Sequence, residues 1–158
     1  MLKMQMLWAD LANSEQEEVR KKAGLVEVHG PRALTIWDSE NQKAVLAPDG
    51  LLIKRGLNGG LQRAFLVEYH NSNAKMHVKN KVAKYENLAT PEYCWLWQTW
   101  GLTEMPVIVA MYRQPVTLEH YADELARIAL KEVRASYAAT RLSDVWAGKL
   151  SISAVKYG

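Results

Sequence analysis

The spacing of apolar positions changes along this chain, and each spacing predicts a different kind of element. From Leu25 to Tyr69 the apolar residues come in short runs: Leu25-Val26-Glu27-Val28, Ala33-Leu34-Thr35-Ile36-Trp37, Ala44-Val45-Leu46-Ala47, Leu51-Leu52-Ile53-Lys54 and Ala64-Phe65-Leu66-Val67-Glu68-Tyr69. Short apolar runs bounded by turn-forming residues are read as strands. His29-Gly30-Pro31 separates the first two runs, and Gly56 through Gly60 separates the last two. The last two therefore form a hairpin, with Asp49 on one arm and Glu68 on the other.

From Ala74 the period becomes helical. Ala74, Val78, Val82, Tyr85 and Ala89 fall on one stripe, Ser72 or Asn73 can cap it, and Pro91 ends the region. At about 100° per residue, Lys75 and Lys79 border one flank of the stripe, while His77, Lys81 and Lys84 border the other. Pro106-Val107-Ile108-Val109-Ala110-Met111 is an unbroken apolar run of the kind found in a strand covered on both faces. Thr117 can cap a last long helix carrying Leu118, Tyr121, Leu125, Ile128 and Val133, and a tail with Trp146 and Leu150-Ser151-Ile152 adds an edge strand. At the other end, Ser14-Glu15-Gln16-Glu17 has the form of a capping box and predicts a helix to Gly24. The order is helix, strands, helix, strand, helix, which predicts an α/β (α+β) fold: a mixed central β-sheet flanked by helices.

Composition adds bounds to this picture. The chain has 158 residues, which fits a single domain over residues 1–158, and its 49% hydrophobic and 23% charged content is that of a globular protein. A net charge of +3, from 20 basic and 17 acidic residues, is too small to imply a polyanionic partner by itself. The single cysteine, Cys94, excludes an internal disulfide and any multi-cysteine zinc site; among Trp and Tyr it reads as a buried small hydrophobe. No apolar stretch is long enough for a transmembrane helix, and the N-terminus has no continuous signal-peptide core, so no membrane partner and a cytoplasmic location are expected.

The candidate chemistry lies in the hairpin. An acidic residue just after a strand and a second on the next strand can bring carboxylate oxygens together on a rigid support, which is what a hard divalent cation requires. Mg²⁺ or Mn²⁺ held there would suit phosphodiester hydrolysis by lowering the pKa of a bound water and neutralising charge on the phosphate. His70, two residues after Glu68, can orient water or contact phosphate, and Lys75, Lys79 or Lys81 can supply a cation. Glu17 is a candidate third carboxylate.

Pro48-Asp49-Gly50, Phe65-Leu66-Val67-Glu68 followed by Tyr69-His70, Lys81 with Tyr85, and Pro106-Val107-Ile108-Val109 with Arg113 together resemble the PD-(D/E)XK nuclease superfamily, and more narrowly the replication-relaxation family of plasmid and mobile-element proteins. The resemblance covers roughly residues 15–130. It implies a restriction-endonuclease-like core, a role in replication, relaxation or transfer of mobile DNA, and a metal bound by Asp49, Glu68 and the Tyr69 carbonyl. Asp49, Glu68, His70 and Lys81 then form the catalytic set of a Mg²⁺- or Mn²⁺-dependent DNA endonuclease, with Lys75, Lys79, Lys81 and Lys84 on the DNA. Two departures stand out. His70 occupies the position where an active nuclease of the superfamily usually has lysine, and the N-terminal winged-helix domain common in the narrower family is not visible. The chain is thus a stand-alone relative or a piece of a longer protein.

Each feature also has a plain structural reading. Pro-Asp-Gly is a favoured turn, a glutamate can end a strand where it meets solvent, and a lysine-flanked amphipathic helix is commonly just solvated. Trp95, Trp97 and Trp100 can stack on unpaired bases, or they can pack in a core or a homodimer contact. His29 and His120 have no partner at metal-ligand spacing. Three functions follow: a metal-dependent nuclease, the same fold with a decayed site serving as a DNA-binding or assembly module, and a protein-interaction domain.

Overall fold

A computed structural model of the protein describes residues 25–29, 34–38, 43–55, 62–70, 75–147 and 151–157. The helix expected over Ser14–Gly24, with Glu17, the Gly56–Gly60 turn and the Ser72 or Asn73 cap lie outside these residues. The chain divides into two compact units, 1–68 and 69–158.

The described residues of unit 1 lie mainly in strands. β1 (Leu25–His29) and β5 (Gln62–His70, which runs on into unit 2) each pair antiparallel with β4 (Gly50–Arg55), while β2 (Ile36–Asp38) and β3 (Lys43–Leu46) form a separate antiparallel pair. The expected hairpin is therefore present, with Leu51 opposite Leu66, Leu52 opposite Phe65 and Ile53 opposite Ala64. Successive residues of a strand point to opposite faces. Leu51, Leu52 and Ile53 are all buried, as are Phe65, Leu66 and Val67, so the hairpin is covered on both faces, which is why its sequence reads as continuous apolar runs instead of an alternation. Burying each such side chain stabilises the fold by roughly 1.5–3 kcal/mol.

The helices whose bounds are described lie in unit 2. α1 (Lys75–Leu88) buries Val78, Val82 and Tyr85 as its stripe predicts, and Leu88 takes the last buried place. A 3₁₀ turn (Pro91–Tyr93) leads into α2 (Cys94–Thr99), whose end is a Schellman motif: Gly101 N–H donates to the Gln98 carbonyl at 2.9 Å, and Leu102 N–H to that of Trp97 at 2.9 Å. Gly101 takes a positive φ of 72°, and the buried pair Trp97 and Leu102 closes the motif. β6 (Val107–Tyr112), α3 (Pro115–Ile128) and β7 (Tyr137–Arg141) form a βαβ unit with β6 and β7 parallel. α4 (Leu142–Trp146) and β8 (Ser153–Ala154), antiparallel to β7, complete the described chain. α1 packs against α3. With antiparallel pairing in unit 1, parallel pairing in unit 2 and packed helices, the fold class is mixed α/β. Among the described residues no helix is long and apolar enough to cross a membrane.

Four details differ from expectation. Thr117 is not the cap of α3: Gln114 is, Pro115 opens the helix, and Thr117 is buried within it. Proline suits a first helical turn because its fixed φ is helical and its missing N–H has no partner to lose there. α3 stops at Ile128, short of Val133, and the chain then enters β7, which the sequence did not predict. The edge strand falls at Ser153–Ala154; of the residues expected to form it, Ser151 and Ile152 are not in a strand and Leu150 lies outside the described residues. Cys94 is exposed, not buried, because it opens α2 on its solvent side while Leu96 and Trp97 face inward. The three tryptophans separate likewise: Trp97 is in the core against Trp100, with ring centroids 5.8 Å apart, and Trp95 is exposed.

Candidate functional site

Asp49 stands immediately before β4, and its N–H donates to the carbonyl of Val67 at 3.1 Å. Val67 is also the residue facing Gly50 in the ladder, and Glu68 follows it on the other arm. Asp49 and Glu68 thus meet at the same end of the hairpin, where regular pairing finishes. Both are buried, at 8% and 1% exposure. Ionised carboxylates are seldom buried unless paired, hydrogen-bonded or bound to a metal, because removal from water strongly disfavours the charge. Their oxygens are the hard donors that Mg²⁺ and Mn²⁺ prefer. Among the described residues no group of three or more His, Cys, Asp and Glu gathers for a metal. A two-carboxylate set fits Mg²⁺, which commonly takes one or two carboxylates and keeps several waters, and does not fit a closed structural site.

The remaining predicted residues belong to unit 2. Tyr69 is half-buried at its start, and His70 is buried at 1% exposure. The His70 Nε2 lies 2.6 Å from the Tyr121 hydroxyl, and the two rings meet edge to face with centroids 5.2 Å apart. His77 of α1 presses on the same imidazole at 5.2 Å between centroids. The other ring nitrogen, Nδ1, is buried with no hydrogen-bond partner among the described residues. Burial pushes the His70 pKa down from 6.5 to about 3, with the nearby His77 and Lys81 adding to the shift. His70 is therefore an uncharged side chain at neutral pH, locked between α1 and α3.

The lysines expected on DNA do not share one environment. Lys75 and Lys79 are exposed on one flank of α1, whereas Lys81 and Lys84 are half-buried on the other. Lys81 is close enough to His70 to oppose a positive charge there. Lys84 lies over the Tyr85 ring, its Nζ 5.7 Å from the centroid. Only the Lys75 and Lys79 flank is fully presented to solvent.

A second polar group joins the same helix to β7. One Glu86 oxygen accepts from Arg134 N–H at 2.7 Å; the other accepts from Ala135 N–H and from the Tyr137 hydroxyl, both at 2.9 Å. Burial, reinforced by the Glu86 carboxylate, raises the Tyr137 pKa far above that of an ordinary phenol. Local spacing placed Tyr121 on the apolar stripe of its helix but gave no sign of its bond to His70, nor of Glu86 and Tyr137, since each finds its partner about fifty positions away.

No family model, no curated protein and no solved structure matches the chain.

Proposed function

We propose that this is a metal-dependent DNA-processing protein of a plasmid or other mobile element, with a restriction-endonuclease-like core in which Asp49 and Glu68 hold one Mg²⁺ or Mn²⁺. The observation supporting this reading is the meeting of two buried carboxylate residues at one end of the β4–β5 hairpin. A divalent ion bound there supplies Lewis acidity and a water activated near neutral pH. The exposed Lys75 and Lys79 supply charge for the phosphate backbone. Incubation of supercoiled and branched DNA with the protein and Mn²⁺ tests the reading: cleavage by the wild type and its loss in Asp49→Ala support it, and equal cleavage by both overturns it.

One observation favours a second reading, a catalytically decayed module that binds DNA or assembles other components. His70, at the motif's usual lysine position, is buried, uncharged and engaged by Tyr121. It brings no positive charge to a phosphate. Calorimetric titration with Mn²⁺ separates the two readings, since a decayed site gives no binding that depends on Asp49 and Glu68.

A further inference from the structure

β6 and β7 end side by side, Tyr112 facing Arg141 in the last register of their parallel pair. After each strand the chain turns into a helix, α3 from Pro115 and α4 from Leu142. A cavity of about 290 Å³ lies there, lined among others by Tyr112, Leu118, Thr140, Arg141, Asp144 and Lys156. We propose that this cavity binds a small organic phosphate, with Thr140 as an inner hydrogen-bonding group and Arg141 and Lys156 at the phosphate. The inference rests on unit 2 alone and is independent of Asp49 and Glu68.

Three observations support it. First, Thr140 is 2% exposed, and its Oγ1 is buried with no hydrogen-bond partner among the described residues. Buried hydroxyls are nearly always satisfied, and this unsatisfied one belongs to a residue of the cavity's lining. Second, the site is outside the carboxyl ends of parallel strands, where α/β folds characteristically bind ligands. The first turn of α3 borders it through Leu118, and the aligned peptide dipoles of a helix favour an anion at its start. Third, the lining holds two cations, Arg141 and Lys156, against one acid, Asp144, and none of the three forms an ion pair among the described residues.

The same lining narrows the ligand. The volume is near the lower end for ligand pockets, about 300 Å³, so the occupant is no larger than a mononucleotide. Asp144 repels a bare inorganic dianion but can accept a hydrogen bond from a ligand hydroxyl or amine. Tyr112, Leu118 and Val155 offer an apolar wall to the organic part.

Calorimetric titration of the whole chain with AMP, adenosine, inorganic phosphate and a 5′-phosphorylated decathymidylate tests the proposal. AMP is expected to bind at least about tenfold more tightly than adenosine or inorganic phosphate, and Arg141→Ala or Lys156→Ala to weaken AMP about tenfold or more. Thr140→Val should weaken AMP about fivefold without lowering Tm, because the added methyl replaces a hydroxyl that the fold itself does not use. A decamer that binds as tightly as AMP assigns the phosphate to a nucleic-acid end, and weaker binding assigns it to a free small ligand. Absence of AMP binding to the wild type, or equal AMP affinity in wild type, Arg141→Ala and Lys156→Ala, overturns the proposal.

Discussion

The Tyr121 hydroxyl of α3 reaches the His70 Nε2 at the end of β5 across 2.6 Å, in a region closed to solvent. The bond orients an imidazole whose other nitrogen has no described partner. Tyr121→Phe keeps the ring-to-ring contact and removes only the hydroxyl, leaving Nε2 buried without that partner. A loss of about 1–3 kcal/mol is expected in urea unfolding. A loss below a few tenths would mean that the bond contributes nothing to the folded state.

Glu86 holds two backbone N–H groups and a phenol at the start of β7. Glu86→Ala removes an acceptor from each; the Tyr137 hydroxyl keeps the Val82 carbonyl at 3.3 Å and Arg134 is exposed to water, so the loss falls mainly on the Ala135 N–H and should destabilise unit 2 by about 1–3 kcal/mol. Hydrogen exchange at Arg134 and Ala135 reads the same event locally, with both amides losing protection.

Tyr137 links stability to alkaline pH. Its phenol is held neutral in the folded state far above the value of about 10 that it has in the unfolded chain. Above that pH the unfolded chain binds fewer protons than the folded one, so stability present in full below pH 10 falls as pH rises beyond it, by up to about 1.4 kcal/mol per unit. Urea midpoints from pH 8 to 11 should hold and then drop, and Tyr137→Phe should flatten the drop.

Gly101 meets no atom within 4 Å of where a Cβ would stand, so a larger side chain there has space. Its positive φ alone sets the effect. Gly101→Ala is expected to cost about 1–2 kcal/mol through backbone conformation, with Trp97 remaining buried as judged by unchanged fluorescence.

The two flanks of α1 give a test of DNA contact that does not depend on cleavage. Lys75→Ala and Lys79→Ala should each lower the slope of log affinity against log salt by about one, and Lys84→Ala, whose ammonium sits over Tyr85, should change it less. Equal changes at all three positions would show that burial on the second flank does not limit contact.

The hairpin is legible in the sequence because apolar runs and a glycine-rich turn are local signals, and the pairing of β4 with β5 carries Asp49 to Glu68 with no further information. The α1 stripe and β6 are legible for the same reason. β7 is not: Tyr137-Ala138-Ala139-Thr140-Arg141 contains two alanines of weak strand preference and becomes a strand because β6 pairs with it. Thr117 was a plausible cap by residue type, but Pro115 two positions earlier fits the first turn better. At the site, the carboxylates were readable as residues. That His70 is buried and uncharged follows from Tyr121, His77 and Lys81 closing around it, a tertiary arrangement to which residue type gives no clue.

β8 is two residues long, Ser153 and Ala154, both exposed, with Lys156 close behind. Open strand edges are where copies of a protein add to one another and aggregate, and the hazard grows with the length of unpaired backbone on offer. A two-residue margin beside a lysine gives an incoming strand almost nothing to extend, so crowding at high protein concentration is poorly seeded from this side of β7.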